Sequence, residues 1–346
     1  METYVENRYA CGSGRSPVGC AFCCVTSLLH GCLKLMERRT LVTNYSDGQE
    51  ITRRKFTKKV GQIIVGGGVL ALAGCGSRDE GKTGQMKQRN LGKTDLVLSP
   101  LGFGAQHTRD AGLIRHALDQ GVNLIETAWA YGFGKPGNSC ECIGKAISGK
   151  RDSICLAVAY QAEPRPTSKI WMANQFEQTL RDLKTDHIDI FLWHHPGGGS
   201  INNSELTLKE SQALVADGER VDLMLKWKQE GKLRWCGITT HSEQPEWLDF
   251  VTGSKLYDVA VVGFNYKSSS SIVKAIEAAS RKGIGLICMK TQSPDYADGE
   301  HKIGSAPDHR KALSWVLSKN YITAAIPGMT ERSQLDLNVQ TMASTV

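Results

Sequence analysis

The sequence predicts a TIM (β/α)8 barrel preceded by a short N-terminal hairpin, and three observations carry that prediction. Eight short apolar or β-branched runs alternate with helical segments between residues 99 and 327. The runs are uninterrupted rather than alternating, as parallel strands buried on both faces are. About 270 residues follow Cys75, enough for one large single-core domain. A doubly wound open sheet would want a complete G-x-G-x-x-G turn after its first strand, and Leu101-Gly102-Phe103-Gly104-Ala105-Gln106 lacks one.

In chain order, residues 87–97 read as a hairpin closing the barrel floor. Strands are predicted at 99–104, 123–127, 154–159, 188–194, 235–239, 259–265, 285–290 and 322–327. Helices are predicted at 111–120, 142–147, 172–183, 222–230, 246–251, 271–282 and 309–319. Apolar residues in these helices recur at three- and four-residue spacing, as Phe176, Leu180 and Leu183 do. Gly121, Gly231 and Gly283 stand just past helix ends, where a left-handed cap is wanted. Residues 197–217 and 294–306 read as long loops after the fourth and seventh strands, the kind that set specificity in barrels.

Charge and cysteine placement exclude several classes. The formal net charge is +7, but residues 1–74 hold 10 Lys and Arg against 5 Asp and Glu, and the remainder holds 32 against 30. The body is therefore near neutral, and no nucleic-acid partner is expected. Of 11 cysteines, only Cys140, Cys142, Cys155, Cys236 and Cys288 belong to the body. The last three sit in apolar runs as small hydrophobes, and Cys140 and Cys142 are too close for an ordinary bridge. No metal site is expected: Cys20 and Cys23 lack a second pair, and His194 and His195, adjacent on a strand, point to opposite faces.

The N-terminal part divides differently. Residues 1–50 read as an unstructured upstream segment, with Met36 as a candidate start. Residues 51–75 resemble a twin-arginine export signal: Arg53-Arg54-Lys55-Phe56, then an uncharged apolar stretch over 60–73 that is too short and glycine-rich for a membrane span. Leu72-Ala73-Gly74-Cys75 resembles a bacterial lipobox, which makes Cys75 the lipidation residue, and residues 76–86 are a polar tether. The barrel occupies 87–346. This organisation implies an exported bacterial protein, periplasmic or at the cell surface, held to a membrane surface by its lipid and served by the twin-arginine export machinery.

The C-terminal strand ends of a TIM barrel build its site. Here they bring Gln106 and His107, Glu126 and Tyr131, Ala159, His194, residues 239–241, Asn265, Lys290 and Gly328. A phenol and an imidazole from neighbouring units can meet over one carbonyl oxygen, the phenol giving a proton to the developing alkoxide and the imidazole orienting or polarising the carbonyl. Such chemistry needs a hydride donor, hence a nicotinamide across the barrel mouth. Trp129 and Trp193 are either walls of an apolar substrate pocket or core, and His195 reads as a wall residue.

Five segments resemble the aldo-keto reductase superfamily over most of 87–342. Residues 126–132 (ETAWAYG) are similar to its D-T-A-x-x-Y-G, and 139–146 (SCECIGKA) to its S-E-x-x-I-G-K-A. Residues 186–196 resemble its strand with the catalytic histidine, and 231–238 (GKLRWCGI) its G-K-x-R-x-x-G-V. Residues 326–328 (IPG), with Asn338 beyond them, resemble its adenosine-binding end. Residues 239–241 and 289–292 look closest to an exported bacterial branch.

The resemblance implies Tyr131 and His194 as catalytic residues, with Glu126 in place of the family's aspartate. Ala159 stands where the family carries a lysine, whose charge would favour the phenolate form of the tyrosine. It further implies cofactor contacts at Thr239, Thr240, Asn265, Lys290, Gly328, Arg332 and Asn338, with Thr240 in place of an asparagine. Glu331 lies near the basic residue expected for a 2′-phosphate and Arg332 beside it, which leaves NADP and NAD both open. Lys290 either replaces the missing charge from the seventh strand, contacts cofactor phosphates or solvates the rim. The function expected is NAD(P)H-dependent reduction of a small carbonyl or sugar substrate. The alternative is a catalytically eroded barrel acting as a small-ligand or sugar-binding lipoprotein. A third possibility uses bound NAD as an internal redox partner within one turnover.

Overall fold

The computed structural model of the 346-residue chain describes residues 87–132, 138–161, 169–194, 206–295 and 304–346. The export signal over 51–75, Cys75, the tether over 76–86 and His195 lie outside the described residues.

The chain first makes a hairpin of β1 (Arg89–Asn90) and β2 (Val97–Leu98), antiparallel with Arg89 opposite Leu98. Gly92 in its turn takes φ +54°, and a Cβ there would come within 2.4 Å of the Gly283 carbonyl oxygen, so only glycine allows the turn to lie this close. Leu91, Leu96 and Leu98 are buried together with the inward residues of the barrel and close its N-terminal end.

Eight parallel strands follow: β3 (Phe103–Gly104), β4 (Leu124–Ala128), β5 (Cys155–Gln161), β6 (Ile188–His194), β7 (Leu233–Thr240), β8 (Val259–Gly263), β9 (Gly285–Met289) and β10 (Ala324–Ala325). They pair in sequence order. The first and last are joined by parallel bridges, Leu101 to Ala325 and Gly104 to Gly328, and the Gly102 amide donates to the Ala325 carbonyl at 2.8 Å. A Cβ on Gly104 would meet the Ile326 carbonyl oxygen at 2.8 Å, so this closure also depends on glycine. The strand set is the one the sequence predicts, with ends differing by a few residues because apolar runs continue past the last ladder hydrogen bond.

Helices cover the outside: α1 (Ala111–Asp119), α2 (Asn138–Ala146), α3 (Lys169–Leu183), α4 (Leu208–Val215), α5 (Gly218–Gln229), α6 (Gln244–Ser254), α7 (Ser270–Arg281), α8 (His309–Leu317) and α9 (Arg332–Thr345). Gly121, Gly231 and Gly283 take φ of 91°, 73° and 84°, the left-handed caps expected of them. Two helices were not foreseen. α4 lies in the stretch read as a loop after β6, and it opens with a capping box in which Thr207 and Glu210 bond each other's backbone amides. α9 ends the chain, and it buries Asn338 and Thr341 beside Leu335 and Met342, a mixture that hides its apolar face.

Strand side chains sort by a period of two. Ala128, Ala159, Leu192, Val261 and Ile287 face inward and form one buried cluster. Val158, Tyr160, Phe191, Trp193 and Val262 face outward under the helices and form another. Trp193 is therefore core rather than pocket wall: its Nε1 donates to the Tyr257 hydroxyl at 3.0 Å, which donates to the Val215 carbonyl at 2.6 Å. Trp129 stacks edge-on against Trp171, with centroids 5.6 Å apart. Cys140, Cys142, Cys155, Cys236 and Cys288 are free and buried. No helix among the described residues is long and apolar enough to cross a membrane.

Candidate active site

The turn after β4 is fixed by the residues that make up its motif. Thr127 and Ser139 share a hydrogen bond between hydroxyls at 2.9 Å, and the Ser139 hydroxyl also reaches the Ala105 carbonyl at 3.3 Å. The Tyr131 amide donates to the Ala128 carbonyl at 2.9 Å, and the Tyr131 carbonyl accepts from the Ser139 amide at 3.0 Å. Tyr131 is thus held at the C-terminal end of the barrel by β4 and α2 together. His194 is the last residue of β6 and faces inward. Its Nε2 lies 3.4 Å from the Tyr131 hydroxyl, the two rings meeting edge-on at 86°. Burial, then the Lys290 charge, push His194 down to about 4, so its imidazole is neutral at pH 7.

Both residues line a cavity of about 650 Å³ at the strand ends. Glu126, inward on β4 and 7% exposed, contributes its only carboxylate among the described residues, and Lys290 its only Lys or Arg. No hydrogen bond or ion pair reaches the Glu126 carboxylate among the described residues, and burial pushes it up to about 7, with the Lys290 charge pulling the other way. Burial lowers Lys290 to about 8, opposed by Glu126. Lys290 has left-handed backbone at φ +59°, a conformation that costs a non-glycine residue about 1 kcal/mol. The Lys290 carbonyl is held by the Asn265 Nδ2 at 3.3 Å and the Ser293 amide at 3.1 Å.

Ala159 stays in the apolar wall. It is 1% exposed, pairs with Ala128 on one side and Leu192 on the other, and sits two residues before Gln161, the partner of His194. The β5 side of the site thus brings no charge at this position.

Of the sequence-derived site residues, the structure brings Glu126, Tyr131, His194, Thr239, Lys290, Gly328 and Asn338 to the cavity. It does not bring Thr240, Asn265 or Arg332 there. Thr240 faces outward on β7 and closes a turn, its hydroxyl donating to the Ser242 carbonyl at 2.7 Å. Asn265 braces Lys290 and the turn that follows β8, accepting from the Lys267 amide at 2.9 Å. Arg332 is exposed at the start of α9. Sequence reading missed His309, Gln334 and Leu337, which α8 and α9 add to the cavity wall. Gln292 ties that wall together by donating to Asn338 Oδ1 at 2.8 Å and to the His309 carbonyl at 3.3 Å.

The Aldo/keto reductase family profile matches residues 102–298, more than half of the chain. The chain belongs to the aldo/keto reductase family. It is 35% identical over 137 residues to aldo-keto reductase YhdN of Bacillus subtilis (strain 168), a match covering 37% of this chain and 36% of that protein. The chain thus aligns with about a third of that relative's length. Among solved structures, aldo-keto reductase AKR11C1 from Bacillus halodurans in its holo form superposes with a TM-score of 0.57 at 22% identity, covering 74% of this chain and 91% of that one. An aldo/keto reductase from Klebsiella pneumoniae in complex with NADP and acetate gives 0.53 at 21% identity, over 71% of this chain and 86% of that one. These likenesses establish the barrel, and the family assignment places Tyr131 and His194 within the matched region.

Two buried hydroxyls test whether the cavity fits a polar ligand. Thr239 and Thr291 line it, and neither Oγ1 has a hydrogen-bond partner among the described residues. A buried polar atom without a partner is uncommon in a folded protein and is satisfied when a polar ligand binds beside it. Together with the Gln292–Asn338 pair, this donor and acceptor set fits the amide and hydroxyls of a nicotinamide nucleotide.

Proposed function

We propose that this protein is an NAD(P)H-dependent oxidoreductase that reduces a small carbonyl or sugar substrate. The observation that carries this reading is the convergence of the Tyr131 hydroxyl and His194 Nε2, 3.4 Å apart, at the wall of a cavity with partnerless hydroxyls. A bound dihydronicotinamide would supply the hydride, two electrons with one hydrogen, that turns a carbonyl carbon into that of an alcohol. Tyr131 is the group that gives the oxygen its proton, and neutral His194 orients that oxygen without adding a charge of its own. Thr239, Thr291, Gln292 and Asn338 would hold the nucleotide, and NADP in a Klebsiella relative of the same fold supports a dinucleotide in this position. Neither NADP nor NAD is favoured over the other, since Arg332 lies outside the cavity wall.

The test is titration of a soluble form beginning after Cys75 with NADH and NADPH, followed by nucleotide fluorescence. Saturable binding of either supports the reading; a folded protein that binds neither rules it out.

Ala159 favours a second reading, in which the barrel has lost hydride chemistry and holds a small polar ligand. Retained ligand binding with no turnover of any carbonyl would distinguish it.

We also propose export and lipid anchoring. The arginine pair, the uncharged apolar stretch and the lipobox cysteine come in the order such signals require, which supports this reading. Incorporation of labelled palmitate into the full chain, lost in Cys75→Ala, is the expected result; label retained in that variant would refute lipidation at Cys75.

A further inference from the structure

The cavity wall holds one carboxylate and one Lys or Arg among the described residues, Glu126 from β4 and Lys290 from the end of β9. Among the described non-glycine residues of that wall, Lys290 is also the only one with left-handed backbone. Strained backbone persists where surrounding contacts over-determine it, and such positions cluster at functional sites. Here the bracing is visible. Asn265 and Ser293 both bond the Lys290 carbonyl, at 3.3 and 3.1 Å, so the turn that Lys290 itself opens is closed locally and braced from the end of β8.

We propose that Lys290 is the stabilising cation of this site, supplied from β9 where β5 offers only Ala159, and that the buried carboxylate of Glu126 is its charge partner. The proposal rests on the oxidoreductase reading for its chemical role and deepens it. A carbonyl oxygen gains negative charge as its carbon is reduced, and an ammonium in the cavity wall stabilises that charge. The proton that completes the alcohol leaves the Tyr131 hydroxyl, and the phenolate so formed regains one from water before the next turnover. Lys290 makes no bond in this sequence. It acts by its field and is a positioning residue in charge terms, whereas Tyr131 touches the reacting oxygen.

The electrostatics agree with the geometry. Each of the two groups moves the other toward its charged form, against burial. Glu126 near 7 and Lys290 near 8 leave a narrow interval in which both are charged and their charges cancel. Since the groups interact, the two apparent values belong to the pair. The other titratable groups facing them are Tyr131 after β4, His107 after β3, His194 on β6, His241 after β7 and His309 on α8. Burial, then the Lys290 charge, lower His107 and His194, so at pH 7 to 8 these two imidazoles are neutral and leave the pair to dominate.

The experiment uses three variants: Lys290→Met, Lys290→Arg and the double variant Lys290→Met/Ala159→Lys. First, Glu126 is titrated without nucleotide by carbon-13 NMR of labelled glutamate carboxyls, its signal assigned with Glu126→Gln. Lys290→Met should move the Glu126 midpoint upward, and Lys290→Arg should leave it near the wild-type value. An unchanged midpoint in Lys290→Met overturns the pairing. Second, NADH binding and carbonyl reduction are measured against pH. Lys290→Met should bind nucleotide within about threefold of wild type, lose about 100-fold in kcat and lose the alkaline limb of the profile near 8. The double variant should recover at least about tenfold of that loss, because the charge returns from β5, between the strands of Tyr131 and His194. Unchanged kcat and pH profile in Lys290→Met overturn the catalytic role, as does a double variant that binds nucleotide yet recovers nothing. If wild type binds no nucleotide, the oxidoreductase reading and the catalytic role fail together, while the carboxyl titration still upholds or overturns the pairing.

Discussion

The two ends of the barrel treat a buried carboxylate in opposite ways. At the N-terminal end Asp189, 1% exposed, accepts from Arg151 at 2.9 Å, from Arg234 at 2.7 Å and from the Leu156 amide at 2.9 Å. Arg234 continues to Asp95 at 3.1 Å, which also takes the Trp235 Nε1 at 2.9 Å, so strands β5 to β7 and the hairpin turn are knit by full charges. At the C-terminal end Glu126 is almost as deeply buried and has no such bond among the described residues. Its acid strength is displaced by burial, with the Lys290 charge acting in the opposite sense. Satisfied charge specifies and stabilises a structure, while under-satisfied charge is a reserve of free energy that a ligand or a proton can release. The lower end reads as architecture and the upper end as chemistry.

That contrast breaks most visibly at Asp189. Replacing it by Asn takes from Arg151 its only carboxylate among the described residues, while Arg234 keeps Asp95, and should cost about 3 kcal/mol in urea unfolding, with little change in nucleotide affinity of the folded fraction. A cost below about 1 kcal/mol would mean the network is ornamental.

Glu126→Gln should do the reverse. Folded Glu126 holds its proton up to about 7, against an ordinary 4.5, so wild-type stability falls as pH rises through that interval. Gln cannot ionise, so the variant should match wild type below 4.5 and exceed it by about 3 kcal/mol above pH 7. Comparing unfolding curves at matched pH isolates this from His194, whose lowered value works with the opposite sign, removing stability as pH falls from 6.5 toward about 4. A pH-independent difference would contradict the assignment.

Tyr131→Phe should sharpen the contrast further, with kcat for carbonyl reduction down about 100-fold, equivalent to about 2.7 kcal/mol, and unfolding changed by less than about 1 kcal/mol. Retention of full kcat would remove Tyr131 from the chemistry. Lys226→Ala sets the scale of background effects: its ion pair with Glu230 on the exposed face of α5, at 3.7 Å, belongs to neither end and should be worth less than about 0.5 kcal/mol in the same unfolding assay.

Much of the barrel was legible because parallel strands buried on both faces leave long apolar runs, and because Gly121, Gly231 and Gly283 mark helix ends that need left-handed backbone. α4 was missed although its capping residues, Thr207 and Glu210, stand three apart in the sequence. The glycines at 197–199 open that stretch as a loop, and the cap stands at its far end. α9 gave a weaker cue, since a helix that buries an asparagine and a threonine does not look amphipathic. In the site, the motif spacing led to Tyr131, His194 and Glu126, but not to the direction each strand end faces. A shift of one residue along a strand reverses its face, which is why Thr239 reaches the cavity and Thr240 does not. The bracing of Lys290 by Asn265 joins residues 25 apart across two strands, and no local pattern reports it.

The five described cysteines carry a consequence for where such a chain can mature. Each is sealed inside the wall or beneath a helix, and burial pushes the thiols of Cys140 and Cys236 up to about 12 and about 11. Thiols so weakly acidic and so enclosed make almost no thiolate, the species that oxidants and exchange partners attack. Among the described residues the fold therefore asks nothing of the redox poise around it: it can be completed where thiols are kept reduced and then exposed to oxidising surroundings without acquiring or losing a covalent bond.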